Sequence, residues 1–214
     1  MKLKSYAKVN LSLNVVGKFR SKKHKIESIV SFLDFFDLIY LKPTSSNKHK
    51  IYFTGKFARG ISRKNTISKL LHILDKKKLL NNQKFEIKIN KNIPQQSGMG
   101  GGSMNAGSLI NYFYNNKIIK LHKKRLINLA NSIGSDVILG INPKNTILSS
   151  SGKLTKFKKK LGLHVLIAKP NFGCSTKFIY SKVRCYSKAK YNNPKQLLLS
   201  KKNIVNSSNA LEKI

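Results

Sequence analysis

A chain of 214 residues with 40% hydrophobic composition can bury the core of one domain or two small ones, which excludes wholesale disorder. No apolar run approaches the ~20 residues of a membrane span, and Met1 to Lys8 lacks the apolar region of a signal peptide, so a cytoplasmic protein is expected. The formal charge of +36, 43 basic residues against 7 acidic, favours non-specific attraction to polyanions at low salt. No stacking aromatics recur between the lysine runs, such as Lys76-Lys77-Lys78 and Lys158-Lys159-Lys160, so no specific nucleic-acid partner is expected. Enrichment in Lys, Asn, Ile and Ser is also what codon bias in an AT-rich genome produces. Cys174 and Cys185 have no metal-ligand partners nearby and read as reduced thiols.

Taken in order, Leu3 to Val16 alternates as a strand, with Lys8 and Asn10 projecting together from its polar face. Gly17 to Lys23 is a basic turn. Ile26 to Ser31 and Leu38 to Leu41 read as two strands, with a bend at Phe32-Leu33-Asp34-Phe35-Phe36-Asp37 between them and a loop from Pro43 to Asn47. Ile51 to Phe53 is a short strand. Asn65 to Lys78 has helical spacing, with Asn65 or Thr66 as its cap. Phe85 to Ile89 is a strand, followed by a glycine-rich stretch and a helix from Ser103 to Asn115. His122 to Ile133 is a further helix, and Gly134 stands where a C-cap glycine belongs. Thr146 to Ser150 and His164 to Ala168 read as strands, Thr176 to Val183 as a helix, and Leu197 to Ile214 as one or two weak helices. The class is α/β or α+β.

The stretch that bears chemistry is Ile93-Pro94-Gln95-Gln96-Ser97-Gly98-Met99-Gly100-Gly101-Gly102-Ser103-Met104-Asn105. A strand ends, the chain turns on glycines, and a helix begins. Glycines allow close backbone approach, and a helix N-terminus presents unpaired N–H groups and a positive dipole end, a combination suited to phosphate. The order is neither a P-loop, which needs a lysine here, nor the dinucleotide fingerprint, which needs a glycine at Ser103. A phosphate site of this kind calls for a group that orients or deprotonates an acceptor.

Any catalytic carboxylate is one of Glu27, Asp34, Asp37, Asp75, Glu86, Asp136 and Glu212. Glu86 lies on the solvent side of a strand, Asp75 on a solvated helix end, Glu27 near Lys25 at the surface, and Glu212 at a terminus. Asp136 differs: between a helix-stop glycine and the apolar Val137-Ile138-Leu139, it is held in place and partly buried, as a base or as a turn aspartate capping N–H groups. Lys8 is the basic candidate because it lies mid-strand, outside any charge run.

Four segments, Tyr6-Ala7-Lys8-Val9-Asn10-Leu11, Phe32 to Asp37, Pro94 to Ala106 and Gly134-Ser135-Asp136-Val137, follow one another in an order that resembles the GHMP kinase superfamily. The branch it is most similar to acts on a cytidine-diphosphate-linked methylerythritol in non-mevalonate isoprenoid synthesis. The resemblance implies an α+β two-domain fold, with a ribosomal-protein-like domain over 1–150 and the start of a ferredoxin-like domain over 151–214. It implies transfer of the γ-phosphoryl group of ATP, with Mg²⁺, to the 2-hydroxyl of that small-molecule substrate, by a monomer or homodimer. Asp136 then corresponds to the general base, and Lys8 to the family lysine that supplies positive charge and polarises the hydroxyl. Pro94, Gln95, Gln96, Ser97, Gly98, Met99, Gly100, Gly101, Gly102, Ser103 and Met104 wrap the phosphates, with Ser103 also near Mg²⁺. Asn65 to Ile67 matches the segment near the adenine, His24 the histidine of the cytosine pocket, and Asn10 the substrate side.

Departures from the family pattern are Lys23 in place of a tyrosine, Met104 in place of the loop's second serine, Ser97 in place of a small apolar residue, and the polar Gln95-Gln96. Ser207 to Glu212 is similar to the helix before the family's third glycine- and serine-rich motif, and the chain stops there, so a shortened protein of weak activity is expected. Two other readings stay open: a GHMP kinase for a sugar or mevalonate-type alcohol, and a non-catalytic basic protein that binds nucleotide or nucleic acid.

Overall fold

The computed structural model describes residues 1–21, 24–158, 161–168, 170 and 176–212. Lys23, Lys159, Lys160, Lys169 and Cys174 lie outside them. Strands and helices are interspersed in an α+β arrangement. The chain forms two compact units: Met1–Ala7, Leu33–Gln95 and Met99–Pro143 in the first; Lys8–Phe32, Gln96–Gly98 and the chain from Lys144 onward in the second.

In the first unit, the start of β1 (Lys2–Lys18) and the end of β2 (His24–Thr44) run antiparallel, with Met1 and Leu41 exchanging backbone hydrogen bonds. β4 (Lys84–Asn90) pairs antiparallel with β2, and β3 (Lys50–Thr54) parallel with β4. The strands alternate strictly. Ile39, Leu41, Phe85, Ile87 and Ile89 are buried, while Tyr40, Lys42 and Lys88 are exposed. The buried face packs on α1 (Thr66–Lys76), α2 (Gly101–Asn115) and α3 (Lys123–Ile133) in one core that includes Leu70, Leu74, Leu109, Phe113 and Ala130. Asn65 caps α1: its Oδ1 accepts from the backbone N–H of Ile67 and Ser68, and Ser68 completes the capping box. Lys69 donates to the carbonyl of Ile133, at the negative end of α3. Among the described residues no helix is long and apolar enough to cross a membrane.

The second unit holds the middle of β1 and the start of β2, which pairs with β5 (Thr146–Leu148), itself paired with β6 (Leu154–Lys156). α5 (Thr176–Ser181), a 3₁₀ turn (Gln196–Leu199) and α6 (Lys201–Val205) follow. Ile29, Ile147, Tyr191 and Leu199 form its core.

Several expectations are corrected. Phe32 to Asp37 is no bend; β2 runs unbroken from His24 to Thr44 and takes in Pro43, because alternation persists and Asp37 finds buried partners. Gly134 ends α3 in an extended conformation (φ −176°), not a left-handed one. Residues 164–168 form no strand, since nothing among the described residues pairs with them, and Leu166 is exposed. Ser207 to Glu212 is not helical; Asn209 forms a parallel bridge with Leu13. β6 was too short to show in the sequence. Glu27 is fully buried rather than at the surface, accepting the backbone N–H groups of Lys190 and Tyr191 at 2.7 and 3.0 Å.

Asp75 is not merely solvated. Lys84 lies 2.8 Å from its carboxylate, and His49 3.3 Å away. His49 Nδ1 accepts from the N–H of Phe85, so its Nε2–H faces Asp75. Burial opposes ionisation of Asp75, but hydrogen bonds from Lys84 and His49 outweigh it and hold the carboxyl below its usual range. A lowered folded-state value means that the contribution is complete above the unfolded value, about 3.9, and is lost as pH falls through the folded one. Thermal denaturation of Asp75→Asn beside the parent is expected to show a Tm gap at pH 6 that closes below about pH 4.

Candidate functional site

The glycine-rich stretch leaves β4 and enters α2. Gly98 (φ +72°) and Gly100 (φ +69°) are left-handed, and Gly100 is the N-cap of α2, where no side chain caps the helix. The first turn of a 15-residue helix therefore keeps its N–H groups and positive dipole end for a ligand. Asn92 and Ile93 enter the loop tethered to Asp37, whose Oδ1 accepts both backbone N–H groups at 2.8 Å. Its Oδ2 accepts from Lys91 Nζ and, at 3.0 Å, from Asn105 Nδ2 in α2. One fully buried carboxylate thus fixes both ends of the loop. Gln95 Nε2 donates to the carbonyls of Phe57 and Arg59 at 2.9 and 2.8 Å, so this polar side chain anchors the loop too.

Asp136 is half-buried at the N-cap of α4 (Val137–Gly140), and its side chain makes no capping hydrogen bond to that helix. Ser135 Oγ lies 3.4 Å from its Oδ1. What brings this turn to the glycine loop is a glycine contact between helices. A Cβ built on Gly107 of α2 would sit 2.6 Å from the carbonyl of Val137 and 2.7 Å from Gly140 Cα. A Cβ on Gly134 would come within 3.8 Å of Ser103 Oγ. The Ser103 hydroxyl, in the first turn of α2, thus faces the 134–136 turn. Gly107→Ala must push α4 away from α2. We expect a loss of about 1–3 kcal/mol by overpacking, read by urea denaturation, and reduced turnover even where the fold survives.

Asn65, expected near adenine, spends its Oδ1 on the α1 cap and its Nδ2 on the carbonyl of Ser62, while the neighbouring Thr66 donates to the carbonyl of Gly102 at 2.8 Å. The start of α1 therefore abuts the start of α2. In the second unit, Lys8 is buried, and its Nζ donates to Asn10 Oδ1 at 2.6 Å. Asn10 donates to Ser28 Oγ, and Ser28 to the carbonyl of Ser12. The pairing of Lys8 and Asn10 follows from strand alternation. His24 lies against Tyr180, with ring centroids 5.3 Å apart, and burial followed by the charge of Lys18 lowers its pKa. The structure brings Lys8 together with Asn10, and Ser103 together with the Asp136 turn. Sequence reasoning missed the roles of Asp37, Lys91 and Asn105 and the bond from Thr66 to Gly102. The signal available was a carboxylate at Asp37 in register with the buried Ile39 and Leu41.

Residues 65–152 match the model of the GHMP kinases N terminal domain. The chain is 58% identical over 213 residues to 4-diphosphocytidyl-2-C-methyl-D-erythritol kinase of Pelagibacter ubique (strain HTCC1062), covering all of this chain and 75% of that protein. The chain belongs to the 4-diphosphocytidyl-2-C-methyl-D-erythritol kinase family of GHMP kinases. The enzyme of the same name from Clostridioides difficile (strain 630) is 31% identical over 200 residues, 92% of this chain and 67% of that one. A crystal structure of 4-(cytidine 5'-diphospho)-2C-methyl-D-erythritol kinase shares the GHMP kinase fold at a TM-score of 0.64 and 22% identity, over 86% of this chain and 65% of that one. Homoserine kinase from Cytophaga hutchinsonii shares it at a TM-score of 0.57 and 17% identity, over 85% of this chain and 59% of its own.

Proposed function

We propose that the chain is a cytoplasmic kinase that transfers the γ-phosphoryl group of ATP to the 2-hydroxyl of 4-diphosphocytidyl-2-C-methyl-D-erythritol. The observation that carries this reading is the uncapped N-terminus of α2 behind left-handed glycines, with Ser103 facing the turn that holds Asp136. The choice of alcohol rests on the 58% identity to the Pelagibacter enzyme.

In this reading, residues Pro94 to Met104 hold the ATP phosphates through backbone N–H groups. Asp136 takes the proton of the acceptor hydroxyl as the oxygen bonds the γ-phosphorus and the bond to the β-phosphate oxygen breaks, releasing ADP. Lys8 takes the role of the family lysine, supplying positive charge, and Asn10 holds it in place. The described residues contain no cluster of three His, Cys, Asp or Glu side chains fit for a metal. Magnesium keeps few protein ligands in such reactions, and the half-buried Ser103 hydroxyl suits one oxygen ligand to an ion carried by ATP. His24, kept neutral at pH 7 by its lowered pKa, suits hydrogen bonding to an uncharged cytosine.

The test is phosphorus NMR of the purified chain with ATP, Mg²⁺ and the cytidine-linked alcohol. A new phosphomonoester signal, competed by cytidine diphosphate, is the expected result. Phosphorylation of mevalonate, homoserine or a sugar in its place would assign the acceptor to another branch. No turnover and no ATP binding in a folded sample would overturn the reading of the loop.

A further inference from the structure

Along the sequence no aromatics recur between the lysines, but across the strands of the first unit they do. Tyr52 of β3 pairs with Lys88 of β4, and Lys88 pairs with Tyr40 of β2. On the far side of β2, the Met1–Leu41 register carries Lys2 of β1 beside Tyr40, with its Nζ 5.9 Å from the ring centroid. Tyrosine, lysine, tyrosine and lysine therefore stand in one row across four neighbouring strands. All four point away from the helices, because their neighbours Ile39, Leu41, Ile87 and Ile89 fill the buried face. Tyr40 is 40% exposed and Tyr52 48%, two large rings on one open sheet face.

The next row is Lys50, Glu86 and Lys42, in which Glu86 is paired to Lys42 at 3.1 Å. A depression of about 410 Å³ opens on this face between Tyr40, Lys88 and Thr54. The two tyrosines sit two strand spacings apart, about 10 Å, with an ammonium between them.

We propose that this open sheet face binds single-stranded nucleic acid, bases stacking on Tyr40 and Tyr52 and phosphates lying over Lys2, Lys50 and Lys88. Aromatics exposed on a sheet and interleaved with cations are what a single strand requires, since every base has a face to stack and every linkage a charge. A duplex hides its base faces and would use only the lysines. An acidic protein surface would use the lysines and leave the rings idle. The strong positive charge of the chain draws any polyanion near, and the row of rings selects among them. This surface stands apart from the residues of the kinase reading and does not depend on it.

The test is fluorescence anisotropy of the full chain with a labelled 12-nucleotide uridine strand, a 12-base-pair duplex and unlabelled poly-glutamate as competitor. The parent is expected to bind the single strand more tightly than the duplex, with poly-glutamate a poor competitor. Tyr40→Ala and Tyr52→Ala should each weaken single-strand binding about fivefold or more, while Tyr40→Phe and Tyr52→Phe keep it within about twofold. Lys88→Glu, at an exposed position, should weaken it about fivefold or more and flatten its salt dependence. Kinase turnover should be unchanged in all five variants. Equal affinity for strand and duplex, or alanine variants that bind like the parent, would overturn the proposal. So would competition by poly-glutamate as effective as that of the strand.

Discussion

Asp37→Ala is expected to lower folding stability by about 3–5 kcal/mol, measured by urea denaturation at pH 7. The reason is what the carboxylate leaves behind. Lys91 Nζ is ion-paired with it, and that lysine side chain is only 5% exposed. The backbone N–H groups of Asn92 and Ile93 and the amide of Asn105 also end on it. Removal strands a buried ammonium without its carboxylate and leaves three further donors without their acceptor, which costs far more than the pair itself contributes. Asp37→Asn should fall between parent and alanine, because an amide oxygen still accepts from the two N–H groups. Asp37→Leu combined with Lys91→Met should recover much of the lost stability, since the stranded charge goes with its partner. It should not recover activity, because Asn92, Ile93 and Asn105 still lose the acceptor that aligns the two ends of the loop. An alanine variant within 1 kcal/mol of the parent would contradict this account.

The same carboxylate shows what the sequence could and could not convey. Local periodicity made the strands at Leu3–Val16 and Phe85–Ile89 readable, as it did the helix capped by Asn65, because each depends on residues within one or two turns of one another. It also placed Lys8 and Asn10 on one face, and their hydrogen bond follows from that spacing alone. Phe32 to Asp37 misled because two aspartates in an apolar run look like a break. In the fold Asp37 continues the buried stripe of Ile39 and Leu41, and the partners that make this tolerable come from 54 to 68 positions later. Glu27 misled in the same way: its partners are more than 160 residues distant. A buried charge is legible only with its partner, and a sequence gives no sign of which distant segment supplies it. The row of Tyr52, Lys88, Tyr40 and Lys2 is illegible for the same reason, since strand register alone assembles it.

Asp136→Asn should reduce turnover by about 10²–10⁴-fold while leaving ATP affinity within about threefold. The carboxylate makes no capping bond to α4, so its loss removes no helix cap, and the isosteric amide keeps the volume of a half-buried position. With the volume and one accepting oxygen retained, stability should fall by no more than about 1 kcal/mol, which separates this substitution from Asp37→Ala. What the amide cannot do is take the proton of the acceptor hydroxyl. If Asp136 were instead a structural turn residue, Asp136→Asn would leave turnover near that of the parent, and Asp136→Ala would lower the Tm with little effect on turnover in the surviving fold. If it bound ATP through a metal ion, the asparagine variant would lose nucleotide affinity along with turnover. Calorimetric titration with a non-hydrolysable ATP analogue, run beside the turnover assay, tells these cases apart. Only lost turnover with retained binding fits a base at the mouth of the glycine loop. That outcome also ties the function to one structural cause, the contact of Gly107 with Gly140 that carries the turn to the start of α2.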